Sequence, residues 1–95
     1  MTVLVFLAMF YTYVLQSLKD QKLYIGYSAN LKKRLQYHHS GNVVSTEKRR
    51  PLRLIFYEAF FAQEDAERRE KYFKTDQGKK VLKLILRKSR INSPN

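Results

Sequence analysis

The stretch LYIGYSANLKKRLQYHHSG, residues 23–41, changes its residue pattern partway along and so predicts two neighbouring elements of the fold. Its first part is rich in aromatic and β-branched side chains, which favour a strand. Residues 30–39 show a helical pattern instead, with two leucines four residues apart and basic side chains on the outer face. Ser28 or Asn30 can cap the start of this helix, and Gly41 follows it as a C-terminal cap.

The flanking sequence predicts the rest of a small sheet. Residues 11–17, YTYVLQS, have the composition of a strand, and the polar residues 18–21 predict a hairpin turn into the strand that follows. A dense apolar and aromatic run predicts a third strand over residues 53–60. The basic segment 41–51 shows no period and is predicted to be a mobile loop.

Two further helices are predicted toward the C-terminus. The first opens with acidic side chains, which suit a helix N-terminus, and places Ala66, Glu70 and Phe73 on one face. Gly78 is expected to interrupt it, and residues 79–89 form a basic amphipathic helix. The predicted fold class is therefore α+β, with a small three-stranded, mainly antiparallel sheet flanked by helices and a basic C-terminal helix.

The charge of the chain points to a polyanionic partner. Nineteen Lys and Arg residues face eight Asp and Glu residues, which gives a formal net charge of +11 over 95 residues. The excess is concentrated in residues 68–90, which hold ten Lys and Arg residues. DNA is the partner we expect first, and RNA is an alternative. The chain has no cysteine, which excludes disulfides, thiolate nucleophiles and cysteine-based zinc sites.

The length allows one domain, which we place at residues 11–90 with a tail at 91–95. Residues 1–10 form an apolar extension that is too short to span a bilayer and lacks the basic region and cleavage site of a signal peptide. We therefore expect no membrane association and a cytoplasmic location.

Residues 11–80 resemble the GIY-YIG nuclease superfamily. Tyr24, Ile25 and Gly26 spell the "YIG" motif, and Arg34 and His38 follow at the spacing of that family. Tyr13 stands where the tyrosine of "GIY" is found, although the glycine and isoleucine before it are absent. In residues 64–74, EDAERREKYFK, a glutamate follows an alanine by four positions, as in the family's helix that carries the metal-binding glutamate. The resemblance is greatest to the small stand-alone branch, which is similar to the N-terminal domain found in the excision-repair nuclease.

The resemblance implies a set of catalytic residues. Arg34 is the expected phosphate clamp, Tyr13 the expected general base, Tyr24 an orienting residue and His38 a proton relay. Glu70 is the expected ligand of one Mg²⁺ or Mn²⁺ ion. Arg34 and His38, four residues apart, lie on one face of a helix and so can converge on one phosphate. The phenol of Tyr13 needs Arg34 or the metal to lower its pKa before it can act as a base.

Basic side chains outside this set are expected to bind the nucleic acid backbone. As charged side chains they are expected at the surface, and they lie in the first helix, the basic loop and the C-terminal half. The residues are Lys32, Lys33, Lys48, Arg49, Arg50, Lys74, Lys79 and Lys80.

Two departures from the family pattern, and one rival acidic residue, concern the site. Tyr27 follows the YIG motif where many relatives place a basic residue. The region TDQGKK lacks the asparagine found late in larger family enzymes, so that Asp76 or Gln77 would have to replace it. Glu58 is a rival acidic residue, which we expect to be less well placed than Glu70.

Two functional interpretations remain open from the sequence. The first is a metal-dependent DNA endonuclease of repair or recombination, selective for branched, flapped or single-stranded structures or directed by a protein partner. The second is a catalytically weak nucleic-acid-binding module in which aromatic residues stack on bases. A basic scaffold protein that binds RNA in a larger assembly is a third, weaker interpretation.

Overall fold

The computed structural model describes residues 8–91 of the chain. Three strands and three helices are found within these residues. They are β1 (Phe10–Ser17), β2 (Leu23–Ser28), α1 (Leu31–His39), β3 (Leu52–Phe60), α2 (Gln63–Phe73) and α3 (Asp76–Ile85). The predicted α+β class is confirmed.

The sheet is antiparallel with the strand order β2-β1-β3. The central strand β1 is the most enclosed, and six of its eight residues are buried. Its register places Tyr13 opposite Gly26 of β2 and Tyr57 of β3. Residues directly opposite in an antiparallel pair share a face, so these three positions lie on the same side of the sheet.

The two faces of the sheet have different neighbours. On one face, Val14 packs with Phe73, Leu82 and Leu86 into a buried apolar core under α2 and α3. On the same face the Thr12 hydroxyl donates a 2.7 Å hydrogen bond to the carbonyl of Ala66. Because side chains alternate along a strand, Tyr13 points to the other face, where α1 lies. The core therefore holds the sheet from one side while the other side presents polar groups.

Helix α1 begins as its sequence predicts. The Asn30 side chain accepts a 3.1 Å hydrogen bond from the backbone N–H of Lys33, and the Ser28 hydroxyl accepts one of 2.9 Å from the N–H of Asn30. Gly41, one residue beyond the cap residue Ser40, adopts φ +79°. The helix is thus held at the exit of β2, which fixes where its inner face lies.

The prediction that Gly78 interrupts the second helix is wrong. Helix α2 ends at Phe73, and Thr75 starts α3 by accepting a 3.0 Å hydrogen bond from the N–H of Gly78. Gly78 lies inside α3, where a methyl group would overlap with the carbonyl of Tyr72. The glycine therefore permits the close approach of α3 to the end of α2, and α3 begins at Asp76, earlier than predicted.

The segment between α1 and β3 is packed rather than loose, which corrects the prediction of a mobile loop. Val43 and Thr46 are buried, and a single 3₁₀ turn spans Glu47–Arg49. The Ser17 hydroxyl at the end of β1 donates a 2.6 Å hydrogen bond to the carbonyl of Arg49. This segment is therefore attached to the central strand.

The predicted domain at residues 11–90 lies within the described residues, whereas the predicted extension and tail fall partly outside them, because residues 1–7 and 92–95 are not described. Ile91 is described, and its backbone N–H and carbonyl both form 2.7 Å hydrogen bonds with the Gln16 side chain. Over residues 8–91, no helix has the length and apolar character needed to cross a membrane.

Candidate active site

Tyr13 is the centre of the polar cluster on the α1 face of the sheet. Its side chain is fully buried. A Cβ atom on Gly26 would lie 2.5 Å from the Tyr13 hydroxyl oxygen, which is too close for any side chain. The glycine of the YIG motif thus provides the space that the Tyr13 ring occupies.

Helix α1 brings Arg34 and His38 to the Tyr13 hydroxyl. Arg34 Nε donates a hydrogen bond of 3.3 Å to Tyr13 Oη, and His38 Nε2 lies 2.7 Å from the same oxygen. Tyr24 completes the group, since its ring centroid is 5.1 Å from that of His38 and 6.3 Å from that of Tyr13. Four of the side chains expected from the sequence therefore lie together in the structure.

Thr46 indicates which groups donate and which accept in the hydrogen bonds of this cluster. His38 Nδ1 lies 2.8 Å from Thr46 Oγ1, and the Thr46 hydroxyl donates to the carbonyl of Val43 at 3.4 Å. A hydroxyl has one proton, so Thr46 accepts from Nδ1–H and leaves Nε2 to accept from Tyr13. An arginine only donates, so the bond from Arg34 is compatible with Tyr13 donating its own proton to His38. The chain of hydrogen bonds runs from Arg34 through Tyr13 and His38 to Thr46.

Sequence reasoning missed Thr46. It lies eight residues beyond His38, in the segment without periodicity, so no helical or strand spacing links the two. Only the packing of this segment against β1 brings the Thr46 hydroxyl to the ring.

The protonation states agree with this direction. Burial raises the pKa of Tyr13 to about 12, and Tyr24 and Glu70 act in the same direction. Burial also lowers the pKa of His38 to about 4, with the positive charge of Arg34 adding to the effect. At neutral pH Tyr13 is therefore a protonated donor and His38 a neutral acceptor. The lowering of the Tyr13 pKa by Arg34, which the sequence analysis required for a base, is outweighed by burial.

Arg34 interacts with two phenols, of which Tyr13 accepts its hydrogen bond. The hydrogen bond to Tyr13 is the largest cause of a raised pKa of Arg34, and the Tyr24 hydroxyl contributes in the same direction. Tyr24 is only half-buried, unlike Tyr13. The guanidinium is thus a permanent cation fixed beside a phenol that solvent can reach.

Glu70 lies on α2, close enough to the cluster for its charge to raise the pKa of Tyr13. Its side chain is 22% exposed and accepts a 3.0 Å hydrogen bond from Lys74 Nζ. Among residues 8–91, no group of three or more His, Asp or Glu side chains is arranged to hold a metal ion. A hard cation such as Mg²⁺ needs fewer, because one carboxylate together with water and substrate phosphate suffices. The donor set at Glu70 fits such an ion and does not fit a metal held by protein ligands alone.

The rival acidic residue Glu58 is engaged elsewhere. It lies opposite Thr12 on the core-facing side of the sheet, and Arg69 binds both of its oxygens at 2.8 and 3.3 Å. Tyr27 also lies opposite Thr12 on that side, half-buried, and its pKa is raised by burial and by Glu67.

The residues expected to replace the late asparagine lie at the start of α3. Asp76 and Gln77 are both exposed there, in the first turn after Thr75. Within residues 8–91, neither side chain forms a hydrogen bond with the Tyr13 cluster.

The basic residues expected to bind nucleic acid differ in whether their side chains are already engaged by other groups of the protein. Arg49 lies 3.9 Å from Asp20 and donates to the carbonyl of Leu23, while Arg50 donates to the carbonyls of Glu47 and His39. These two arginines hold the segment after α1 in place, and their contact with phosphates remains a prediction. The other side chains of the set are exposed, and among them Lys74 is paired with Glu70. They are Lys32, Lys33, Lys48, Lys74, Lys79 and Lys80.

A three-stranded antiparallel sheet with a buried central tyrosine, a YIG glycine beneath it and a helical arginine beside it defines a GIY-YIG catalytic domain. Residues 9–83 match the family model described as the GIY-YIG catalytic domain. The chain belongs to this family, whose domain is generally that of an endonuclease.

Within the family, the chain is similar to UPF0213 proteins. It is 44% identical over 79 residues to one from Pediococcus acidilactici, with 80% of each chain covered. It is 38% identical over 80 residues to one from Clostridium perfringens, with 83% of this chain and 85% of that protein covered. The solution NMR structure of the UPF0213 protein from Bacillus halodurans has a TM-score of 0.53 at 33% identity and covers 85% of this chain and 86% of that one.

Proposed function

We propose that the protein is a divalent-metal-dependent endonuclease that hydrolyses phosphodiester bonds in DNA. The observation that carries the proposal is the convergence of two phenols, a guanidinium and an imidazole on one point of a strongly basic domain. Hydrolysis of a phosphodiester needs a proton acceptor for water and positive charge on the phosphoryl oxygens. The cluster contains both kinds of group.

Arg34 is the residue we assign to the phosphate. Its Nε is bonded to Tyr13, which fixes the plane of the guanidinium and leaves the two terminal nitrogens as donors to a non-bridging oxygen. Lysine at this position would keep the charge but lose the fork, so the geometry favours arginine.

Tyr24 is the residue we assign as general base, in place of Tyr13. Tyr13 is fully buried with a pKa raised to about 12, and its proton is already donated to His38. Tyr24 is half-buried, interacts with Arg34 and can reach solvent water, unlike Tyr13. Tyr13 and His38 then position Arg34 and Tyr24 rather than contact water.

Glu70 would hold one Mg²⁺ or Mn²⁺ ion. When bound, such an ion would supply positive charge for the leaving oxygen. Lys74 Nζ bonds Oε2 of this carboxylate in the structure, which leaves Oε1 for the ion. The basic surface supports DNA as substrate, and we propose that selection by DNA structure, in repair or recombination, or by a protein partner replaces sequence recognition.

The proposal is tested by cleavage of labelled flap, fork, single-stranded and duplex DNA, and of the corresponding RNA, with and without Mg²⁺ or Mn²⁺. Each of Arg34→Lys, Tyr24→Phe and Glu70→Gln is expected to reduce the rate by about a hundredfold or more while binding is kept. Glu64→Gln, an exposed carboxylate on the same helix, and Arg68→Lys are the matched controls.

A nucleic-acid-binding module without cleavage is the second candidate, and the Lys74–Glu70 ion pair favours it because the lysine ammonium competes with a metal ion for the carboxylate. Binding of these substrates with no cleavage in either metal would support this candidate and refute the nuclease proposal.

A further inference from the structure

A groove lies beside the polar cluster, on the outer side of Arg34. It has a volume of about 260 Å³ and is open to solvent. Its lining residues come from the end of β2, the turn after it and α1, and they are Ser28, Ala29, Asn30, Lys33, Arg34 and Tyr37.

Helix α1 presents two neighbouring stripes at this point. Arg34 and His38 form the inner stripe, which faces Tyr13. Lys33 and Tyr37 form the next one, also four residues apart and displaced by one residue around the helix. Arg34 therefore belongs to the cluster and to the groove, so a phosphate bound by Arg34 places the adjoining nucleotide at the groove.

The Tyr37 side chain is a partly exposed aromatic surface at the edge of the groove. Tyr37 is 41% exposed, and the closest cation to its ring among these residues is Lys33, whose Nζ lies 5.7 Å from the ring centroid. A ring beside a lysine, next to a phosphate-binding arginine, has the chemistry of a stacking site for an unpaired base.

We propose that this groove binds the unpaired nucleobase next to the scissile phosphate, with the base stacked on Tyr37 and Lys33 contacting the adjoining phosphate. The proposal rests on the proposed function for the position of the phosphate at Arg34, and it makes the substrate specific. A strand with an unpaired nucleotide at the cut fits, because a base within a duplex does not expose its face to Tyr37.

Binding without added metal tests the groove separately from cleavage. Single-stranded oligonucleotides with 2-aminopurine at successive positions are titrated with the protein in EDTA. Tyr37→Ala is expected to weaken binding by about fivefold to a hundredfold and to abolish the fluorescence change at one position, whereas Tyr37→Phe stays within about twofold of the wild type.

The salt dependence separates stacking from charge. Lys33→Gln is expected to reduce the slope of log K against log[salt] by about 0.7 for a single strand, while Tyr37→Ala leaves the slope unchanged. Phe61→Ala is the matched control, because Phe61 is a 68% exposed aromatic that does not line the groove. Binding to blunt duplex DNA should be the same for Tyr37→Ala and the wild type.

The inference is overturned if Tyr37→Ala binds single strands within about twofold of the wild type, or if Phe61→Ala loses as much affinity. If the wild type cleaves DNA and Tyr37→Ala binds and cleaves as the wild type does, the base-binding role of the groove is refuted and the nuclease proposal stands. Position-specific stacking on Tyr37 without cleavage in any metal would refute the nuclease alone.

Discussion

The hydroxyl oxygen of Tyr13 lies 2.7 Å from Nε2 of His38, although the two residues are 25 positions apart in the chain. This hydrogen bond joins the central strand to α1, which also carries Arg34. A change that moves the Tyr13 ring will therefore move the whole polar cluster.

Gly26→Ala should displace the Tyr13 ring, because the added methyl group would lie 2.5 Å from its hydroxyl oxygen. We expect a loss of about 1–3 kcal/mol in the free energy of unfolding. The melting temperature should fall by roughly 4–8 °C for each kcal/mol lost. In a Tyr13→Ala background the same substitution should cost much less, and additive losses in the double variant would contradict the steric explanation.

Thr46→Val should remove the contact that fixes the tautomer of the His38 ring. The wild type is expected to carry its imidazole proton on Nδ1, which ¹⁵N NMR of the ring nitrogens measures directly. Valine removes the acceptor of that proton and should cost about 1–3 kcal/mol of stability, whereas Thr46→Ser keeps the hydroxyl and the tautomer. A wild-type spectrum with the proton on Nε2 would refute the assigned direction of the hydrogen-bond chain.

The buried neutral state of His38 predicts a loss of stability in mild acid. The pKa of its ring is about 4 in the folded protein, against an ordinary value of 6.5 for histidine. Between these values the unfolded chain binds a proton that the folded chain does not, so the contribution is complete above about pH 6.5 and falls as the pH drops toward 4. The loss is on the order of 3 kcal/mol.

Urea denaturation across this pH range measures the effect. His38→Gln should lose the dependence, while His39→Gln, at the exposed neighbouring histidine, should keep it. Equal pH dependence in His38→Gln and the wild type would show that other groups cause it.

The direction in which Gly78→Ala changes the free energy of unfolding distinguishes two explanations of this glycine. If Gly78 only weakened a helix, alanine would stabilise the protein by about 1 kcal/mol. Because a methyl group there overlaps with the backbone carbonyl of Tyr72, we expect destabilisation by about 1–3 kcal/mol instead. Differential scanning calorimetry decides between them, with Lys79→Ala on the exposed side of α3 as the control.

Local pattern was enough for much of this fold. Aromatic and β-branched composition predicted β1 and β2, a dense apolar and aromatic run predicted β3, and the leucine spacing predicted α1, because strand propensity and helical period are local properties of the chain. Arg34 and His38 were placed on one face for the same reason. Gly78 was misjudged because a glycine required by helix packing and a glycine that breaks a helix look alike in a sequence.

The sequence by itself determined the elements, the basic charge and the order of the polar residues, since propensity, charge and spacing are local properties of the chain. Only the tertiary structure decided that Thr46 fixes the His38 ring, that burial keeps Tyr13 protonated and that Tyr37 faces a groove beside Arg34. These features depend on desolvation and on contacts between distant segments, and both exist only once the segment after α1 and the strand β1 are packed together.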